Sequence, residues 1–246
     1  MNTPLRTELP PISEIWVYLS GSPLLALVLT LSAYLLGLTL YERSQRNPLA
    51  NPVLIAVVLV CIGISVIDMP YAQYFEGAQF VHFLLGTATV SLAIPIYKGF
   101  ASLKGRMGLL LLSLLAGGIT SVLTAVGMAR WLGVDESLVR GLVAKSVTAP
   151  IAMGIAERVQ ASPTLTAIFA VSTGILGAVL GRYVLDALRV TAWWQRGFAL
   201  GVAAHGIGTS RAFSVNAEAG AYASLGMGLH GIAGAMLIPY AVAWWF

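Results

Sequence analysis

Residues 51–64, NPVLIAVVLVCIGI, and residues 162–175, SPTLTAIFAVSTGI, decide how the rest of the chain is read. Laid over each other at a shift of 111 residues, six of 14 positions match: Pro52/Pro163, Leu54/Leu165, Ala56/Ala167, Val60/Val171, Gly63/Gly174 and Ile64/Ile175. The same shift, without a gap, pairs Gly86 with Gly197, Ala88 with Ala199, Ala93 with Ala204 and Ile96 with Ile207. It then pairs Ser113, Leu114 and Gly117 with Ser224, Leu225 and Gly228. Apolar sequences match by chance more often than mixed ones. The constant offset over three apolar segments is what carries the reading of an internal repeat. One copy covers about 22–132 and the other about 133–246, behind a polar N-terminal segment at 1–21.

The runs around these stretches set the class. Of 246 residues, 58% are hydrophobic, with only 14 Lys+Arg and 10 Asp+Glu, and the mean hydropathy is +0.84. A soluble domain carries nearer a quarter charged residues, so a soluble enzyme is excluded. Disorder, which needs low hydrophobicity and high charge, is excluded with it. The expectation is an all-α polytopic membrane protein, one integral domain over 1–246 with about eight apolar segments. Plain spans fall near 22–41, 52–68, 106–130, 164–185 and 221–245. Three segments, 80–97, 138–158 and 196–213, are apolar but interrupted by polar residues, Pro and Gly. The first run lacks a small-residue cleavage site and reads as a retained helix. Five tryptophans, Trp131, Trp193, Trp194, Trp244 and Trp245, stand at span ends, where indole favours the headgroup region. The single Cys61 permits no internal disulfide and reads as a small buried hydrophobe. The eleven Arg and three Lys are spread between apolar runs, which suits membrane loops and not nucleic acid.

Charge suggests orientation. Loop 68–79 carries Asp68 and Glu76 and no cation, whereas its partner at 182–196 carries Arg182, Arg189 and Arg196. Cytoplasmic loops collect Lys and Arg. Opposite bias in equivalent loops therefore predicts an inverted-topology repeat. Loops 42–51, 98–106 and 182–196 should be cytoplasmic. For the last two to share a side, 138–158 must cross twice or not at all, so a re-entrant element is expected there.

A backbone break inside a membrane is costly unless it lines a cavity or is buried in protein. Paired breaks point to a transport site. The candidates are KSVTAP at 145–150 and HGIGTSR at 205–211, with Pro95, Pro150, Gly206 and Gly208 as the breaking residues. Lys145 is the one charge placed well inside an apolar segment, at a cost of roughly 2.5–3.5 kcal/mol at mid-membrane. That cost calls for a partner or an anionic ligand. Ser146, Thr148 and Thr209 add hydroxyls, with Thr87 and Thr89 as weaker additions. His205 is a titratable group for proton coupling, and Arg211 an electrostatic guard. His82 and His230 read as structural. Few carboxylates are offered to a metal, no cofactor is expected, and no catalytic constellation marks an enzyme. The GMGLHG match at 226–231 lies in an apolar span with no preceding strand and is set aside.

These residues resemble the LrgB/CidB family of bacterial membrane proteins. The resemblance runs from about Asn51 to the C-terminus through NPVLIA (51–56), FLLGTATVSLAIPIYK (83–98), KSVTAPIA (145–152), TGILGAVLG (173–181) and HGIGTSRAF (205–213). The chain has Thr148-Ala149-Pro150 where the family usually has Thr-Thr-Pro. The resemblance implies a multi-pass protein of the bacterial cytoplasmic (inner) membrane. It carries two functional labels. One is a transporter of small organic acids, as bacterial members are associated with pyruvate and the related plastid protein carries glycolate and glycerate. The other is a holin/antiholin-like regulator of murein hydrolase export and cell lysis. It also implies a small LrgA/CidA-type membrane partner. The reading adopted is a secondary transporter of small monocarboxylates, with H+ or Na+ as coupling ion and a homo-oligomer, a dimer, as the assembly.

Overall fold

A computed structural model describes residues 23–91, 94, 97 and 105–245, without the side chains of His82, Leu85, Ala88 and Thr89. The described chain is helical: α1 (Pro23–Arg43), α2 (Pro52–Val66), α3 (Tyr71–Ser91), α4 (Met107–Trp131), α5 (Glu136–Leu142), α6 (Ala149–Arg158), α7 (Pro163–Ala187), α8 (Trp193–Val215) and α9 (Ala217–Trp245). It divides into two compact units, Met1–Leu84 and Leu85–Phe246.

In the first unit, α1 and α2 run antiparallel. A Cβ on Gly37 would sit 2.7 Å from the Pro52 carbonyl oxygen, and Gly63 packs on Leu29. A short 3-10 turn at Pro48–Ala50 joins them, and Asn51 caps α2 by accepting from the amides of Val53 and Leu54. Two expectations change here. Cys61 is exposed on α2 and not buried. The loop expected over 68–79 shrinks to a turn around Asp68, whose φ is 52°, and α3 starts at Tyr71. Tyr, Gln and Glu in 71–76 made this stretch read as a loop, yet all three residue types are compatible with a helical surface.

In the second unit, α4, α7 and α9 are long and apolar enough to cross a membrane, as α1 is in the first. Their burial pattern is that of a membrane core. Ala170, Ala204, Ala223, Thr166, Thr209 and Ser224 are almost fully buried, whereas Leu112, Ile119, Leu176 and Ile232 are exposed. Small and polar groups inside with large aliphatic ones outside suit lipid, where helices gain from close approach and not from hiding leucine.

Contacts fix the directions. At one end, Arg106 stacks over Trp194 at 5.0 Å and its guanidinium donates to Tyr222 Oη at 3.5 Å. At the other, Arg130 stacks over Trp245 at 5.5 Å and pairs with Glu136 at 2.6 Å. These are called the Trp194 end and the Trp245 end. Helices α4 and α9 therefore run the same way, from the Trp194 end to the Trp245 end. The 111-residue shift pairs these two as inverted copies, and for this pair the inversion is not found. A shared apolar pattern records similarity and carries no direction.

Segment 138–158 is two short helices, the end of α5 and α6, joined as a hairpin. Near the end of α5, Gly141 lies against Thr166 and Phe169, within two turns of the start of α7. Glu136 opens α5 at the Trp245 end, so α6 must return to that end before α7 begins. Helix α8 is a second hairpin. His205 has φ 40° and ψ −130° inside it. Eight residues of straight helix span about 12 Å, yet a Cβ on Gly208 would lie 2.6 Å from the Leu200 carbonyl oxygen. The chain has folded back on itself. The first leg lies antiparallel to α7 (Gly177 on Ala204, Gly181 on Leu200), and the second leg lies antiparallel to α9 (Phe213 on Gly220). Thus α5–α6 with α7 enters from the Trp245 end, and α8 with α9 enters from the Trp194 end.

Candidate functional site: two hairpin apices

Both hairpins pack on the same two helices, α7 and α9. On α7, the α5–α6 hairpin touches Thr166 and Phe169, and His205 touches Ala170 and Gly174. On α9, Thr209 reaches Met227, while Ile151 and Val147 pack on Gly231 and Gly234. The contacts on α7 fall in its first half and those on α9 around its middle.

The first apex spans 143–148. Helix α5 ends in loose turns in which the amides of Lys145 and Val147 bond three residues back, to Leu142 and Ala144. Helix α6 then starts with Thr148 as cap and Pro150 in the first turn. The half-buried Lys145 Nζ donates to Ser121 Oγ at 2.7 Å and to Ser146 Oγ at 3.1 Å. Those two hydroxyls are 2.7 Å apart. An ammonium has three donors, and two are used within the chain. Thr148 is 7% exposed, makes no side-chain cap bond, and its Oγ1 is buried without a partner among the described residues. Thr166 Oγ1, beside Gly141, is buried without a partner as well. The first-turn amides of α6 add unpaired donors and the positive end of a helix dipole.

The second apex is His205 itself. Its Nε2 bonds the Ala170 carbonyl at 2.8 Å, its ring lies where a side chain on Gly174 would be, and its own carbonyl accepts from Thr209 Oγ1 at 2.7 Å. A non-glycine residue in this region of φ/ψ is strained by about 1–3 kcal/mol and persists only where its surroundings hold it. The ring anchor and the threonine bond are those restraints.

The sequence-predicted residues therefore sort into groups. Lys145, Ser146 and Thr148 share the first apex, while His205 and Thr209 share the second. Pro150 opens α6, as a residue that cannot donate should. Gly206 and Gly208 were expected to break α8, but the bend is at His205. Gly208 is helical and serves the close return of the second leg; Gly206 makes only ordinary contact with Met227. Arg211 is elsewhere, lining a cavity at the Trp194 end with Arg182, Asp186 and Arg196. Thr87 is exposed on α3. The Thr89 side chain and Pro95 lie outside the described residues.

Two site residues escaped the sequence reading. Ser121, midway along α4, is Lys145's shortest bond. His230, read as structural, packs on Gly118 and lines a cavity of about 290 Å³ together with Ser121, Ser146, Val147 and Gly234. No spacing rule joins positions 121, 145 and 230. Only the hairpin brings them together.

Two hairpins packed on long apolar helices, with an ammonium and polar side chains buried or half-buried at the first apex, define a multi-pass membrane protein. Comparison with known proteins agrees. Residues 30–244 match the model of the LrgB-like family, and the chain belongs to that family. It is 32% identical over 220 residues to YwbG of Bacillus subtilis, covering 89% of this chain and 97% of that protein. It is 27% identical over 218 residues to the Holin-like protein CidB of Staphylococcus epidermidis, covering 89% and 95%. It is 31% identical over 223 residues to YxaC of Bacillus subtilis, covering 91% and 96%. No solved structure matches the chain significantly.

Proposed function

We propose that this protein is a secondary transporter of small organic monocarboxylates, of the pyruvate, glycolate or glycerate type, and not an enzyme. The observation that carries the proposal is Lys145. Its half-buried ammonium is held by two serine hydroxyls, with no third hydrogen-bond partner among the described residues, beside the uncapped start of α6. A carboxylate fits that donor set: one oxygen on Nζ, the other on the Thr148 hydroxyl and the first-turn amides. The inverted entry of the two hairpin-and-helix pairs suits alternating access, with each hairpin gating one side. The Trp194 end carries Arg106, Arg182, Arg189 and Arg196 and is assigned to the cytoplasm of a bacterial inner membrane.

For the coupling ion we favour H+ over Na+. His230 forms no hydrogen bond among the described residues and faces the Lys145 cluster, while His205 is committed to Ala170 and serves as an anchor. The proton carrier is therefore His230, in place of His205.

Uptake of labelled pyruvate and glycolate into proteoliposomes tests the proposal. Lys145→Ala should reduce uptake at least tenfold, and an imposed inward proton gradient should stimulate the wild type. Unchanged uptake in Lys145→Ala removes the proposed site, and absence of uptake under any gradient removes the function.

The printed name of the staphylococcal relatives, Holin-like protein CidB, favours a second reading: a holin/antiholin-like regulator of murein hydrolase export and lysis. It predicts release of solutes far larger than pyruvate and tolerance of substitutions at Lys145. Under either reading we propose a homodimer and an LrgA/CidA-type membrane partner, both testable by cross-linking in native membranes.

A further inference from the structure

We infer that the cavity at the root of the α8 hairpin binds the phosphate of an anionic phospholipid. The cavity is about 350 Å³ and lies at the Trp194 end, between α7, both legs of α8 and the start of α9. Three guanidiniums line it, from Arg182, Arg196 and Arg211, against one carboxylate, Asp186. Asp186 is already engaged: Oδ1 accepts from Arg196 at 2.6 Å, and Oδ2 faces Arg182 at 3.6 Å. Arg196 is further fixed by donating to the Val190 carbonyl at 2.9 Å. One negative charge among three positive ones leaves a net charge of about +2 on the lining. The first turn of α8, whose cap Ala192 makes no side-chain bond, adds the positive end of a helix dipole.

Two observations select a lipid over the transported acid. The cavity is separate from the apices: its lining includes neither Lys145 nor His205, and the legs pack at backbone distance where Gly208 meets the Leu200 carbonyl and where Ala204 meets Gly177. The rest of the wall is aliphatic, with Leu185, Leu200 and Val215 among its residues, and Trp193 sits at headgroup level. A basic rim on an aliphatic wall matches a headgroup phosphate with the start of its acyl chains. Arginine forks suit phosphate geometry.

The purified full-length protein tests this by thermal shift in mixed micelles. Phosphatidylglycerol should raise the melting temperature, phosphatidylcholine should not, and glycerol 3-phosphate should act only far more weakly. Each guanidinium near the membrane surface contributes about fivefold in affinity. Arg211→Gln should therefore weaken the phosphatidylglycerol response about fivefold, Arg182→Gln with Arg211→Gln roughly 25-fold, and Arg211→Lys much less. Equal responses to the two phospholipids, or wild-type affinity in the double variant, overturn the inference. A glycerol 3-phosphate response equal to that of phosphatidylglycerol also overturns it, in favour of a soluble-anion site. Where the double variant does not fold, the wild-type lipid contrast and Arg211→Gln alone decide.

Discussion

At the scale of single residues, the site holds features that cost stability. Thr148 and Thr166 each bury a hydroxyl without a partner among the described residues. An unsatisfied buried hydroxyl costs about 1–3 kcal/mol, and an apolar group of the same shape removes that cost. Thr148→Val and Thr166→Val should each stabilise the ligand-free protein by about 1 kcal/mol in denaturant unfolding. Thr148→Val should at the same time reduce acid uptake. A stabilised variant with undiminished uptake would mean that the hydroxyl does not meet the substrate. His205 gives a second test. Glycine tolerates its backbone angles and alanine does not. His205→Gly should therefore be more stable than His205→Ala by about 1–2 kcal/mol, though both lose the Ala170 bond. The reverse order would mean that the bend is not where the structure puts it.

At the scale of elements, the hairpins depend on glycine where backbones touch. A Cβ on Gly197 or Gly201 would lie 2.0 Å from the carbonyl oxygens of Ala219 and Ala223 on α9. Neither contact can yield without moving a helix. Gly201→Ala should thus lower the folded yield severely, by several kcal/mol in unfolding measurements. Gly154→Ala, on a helix with open space around it, should gain about 0.5–1 kcal/mol. Equal effects at the two sites would refute the packing of the first leg on α9. Element existence was legible from the sequence because apolar runs and Pro breaks record it directly: α2 and α7 begin at Pro52 and Pro163, as the alignment of 51–64 with 162–175 suggests. That 138–158 is broken into two short helices was legible from Pro150 and its polar neighbours. What α8 does was half legible. The polar cluster at 205–211 marked an interruption, but only tertiary restraint on His205 turns that interruption into a reversal. Ser121 and His230 were not legible, because each is a lone polar residue in a long apolar helix, and its meaning depends on a hairpin tip from elsewhere in the chain.

At the scale of the whole molecule, the decisive property is which turns face which side. The turns at Asp135 and Gln160 flank the α5–α6 hairpin, and those at Arg189 and Asn216 flank α8. If both segments are re-entrant, the turns pair off by hairpin: 135 with 160 on one face, 189 with 216 on the other. If either segment crossed fully, one pair would be split between faces. Single cysteines at 135, 160, 189 and 216 settle this once the exposed native thiol is removed by Cys61→Ser. A membrane-impermeant maleimide applied to intact cells should label 135 and 160, and should label 189 and 216 only after the membrane is opened. Three arginines, Arg182, Arg189 and Arg196, cluster at the latter end, and the positive-inside rule predicts the cytoplasm for it. Labelling of 160 and 189 from one face would mean that α7 does not cross. The proposed anion site at Lys145 would then lack the paired hairpins that alternating access requires of it.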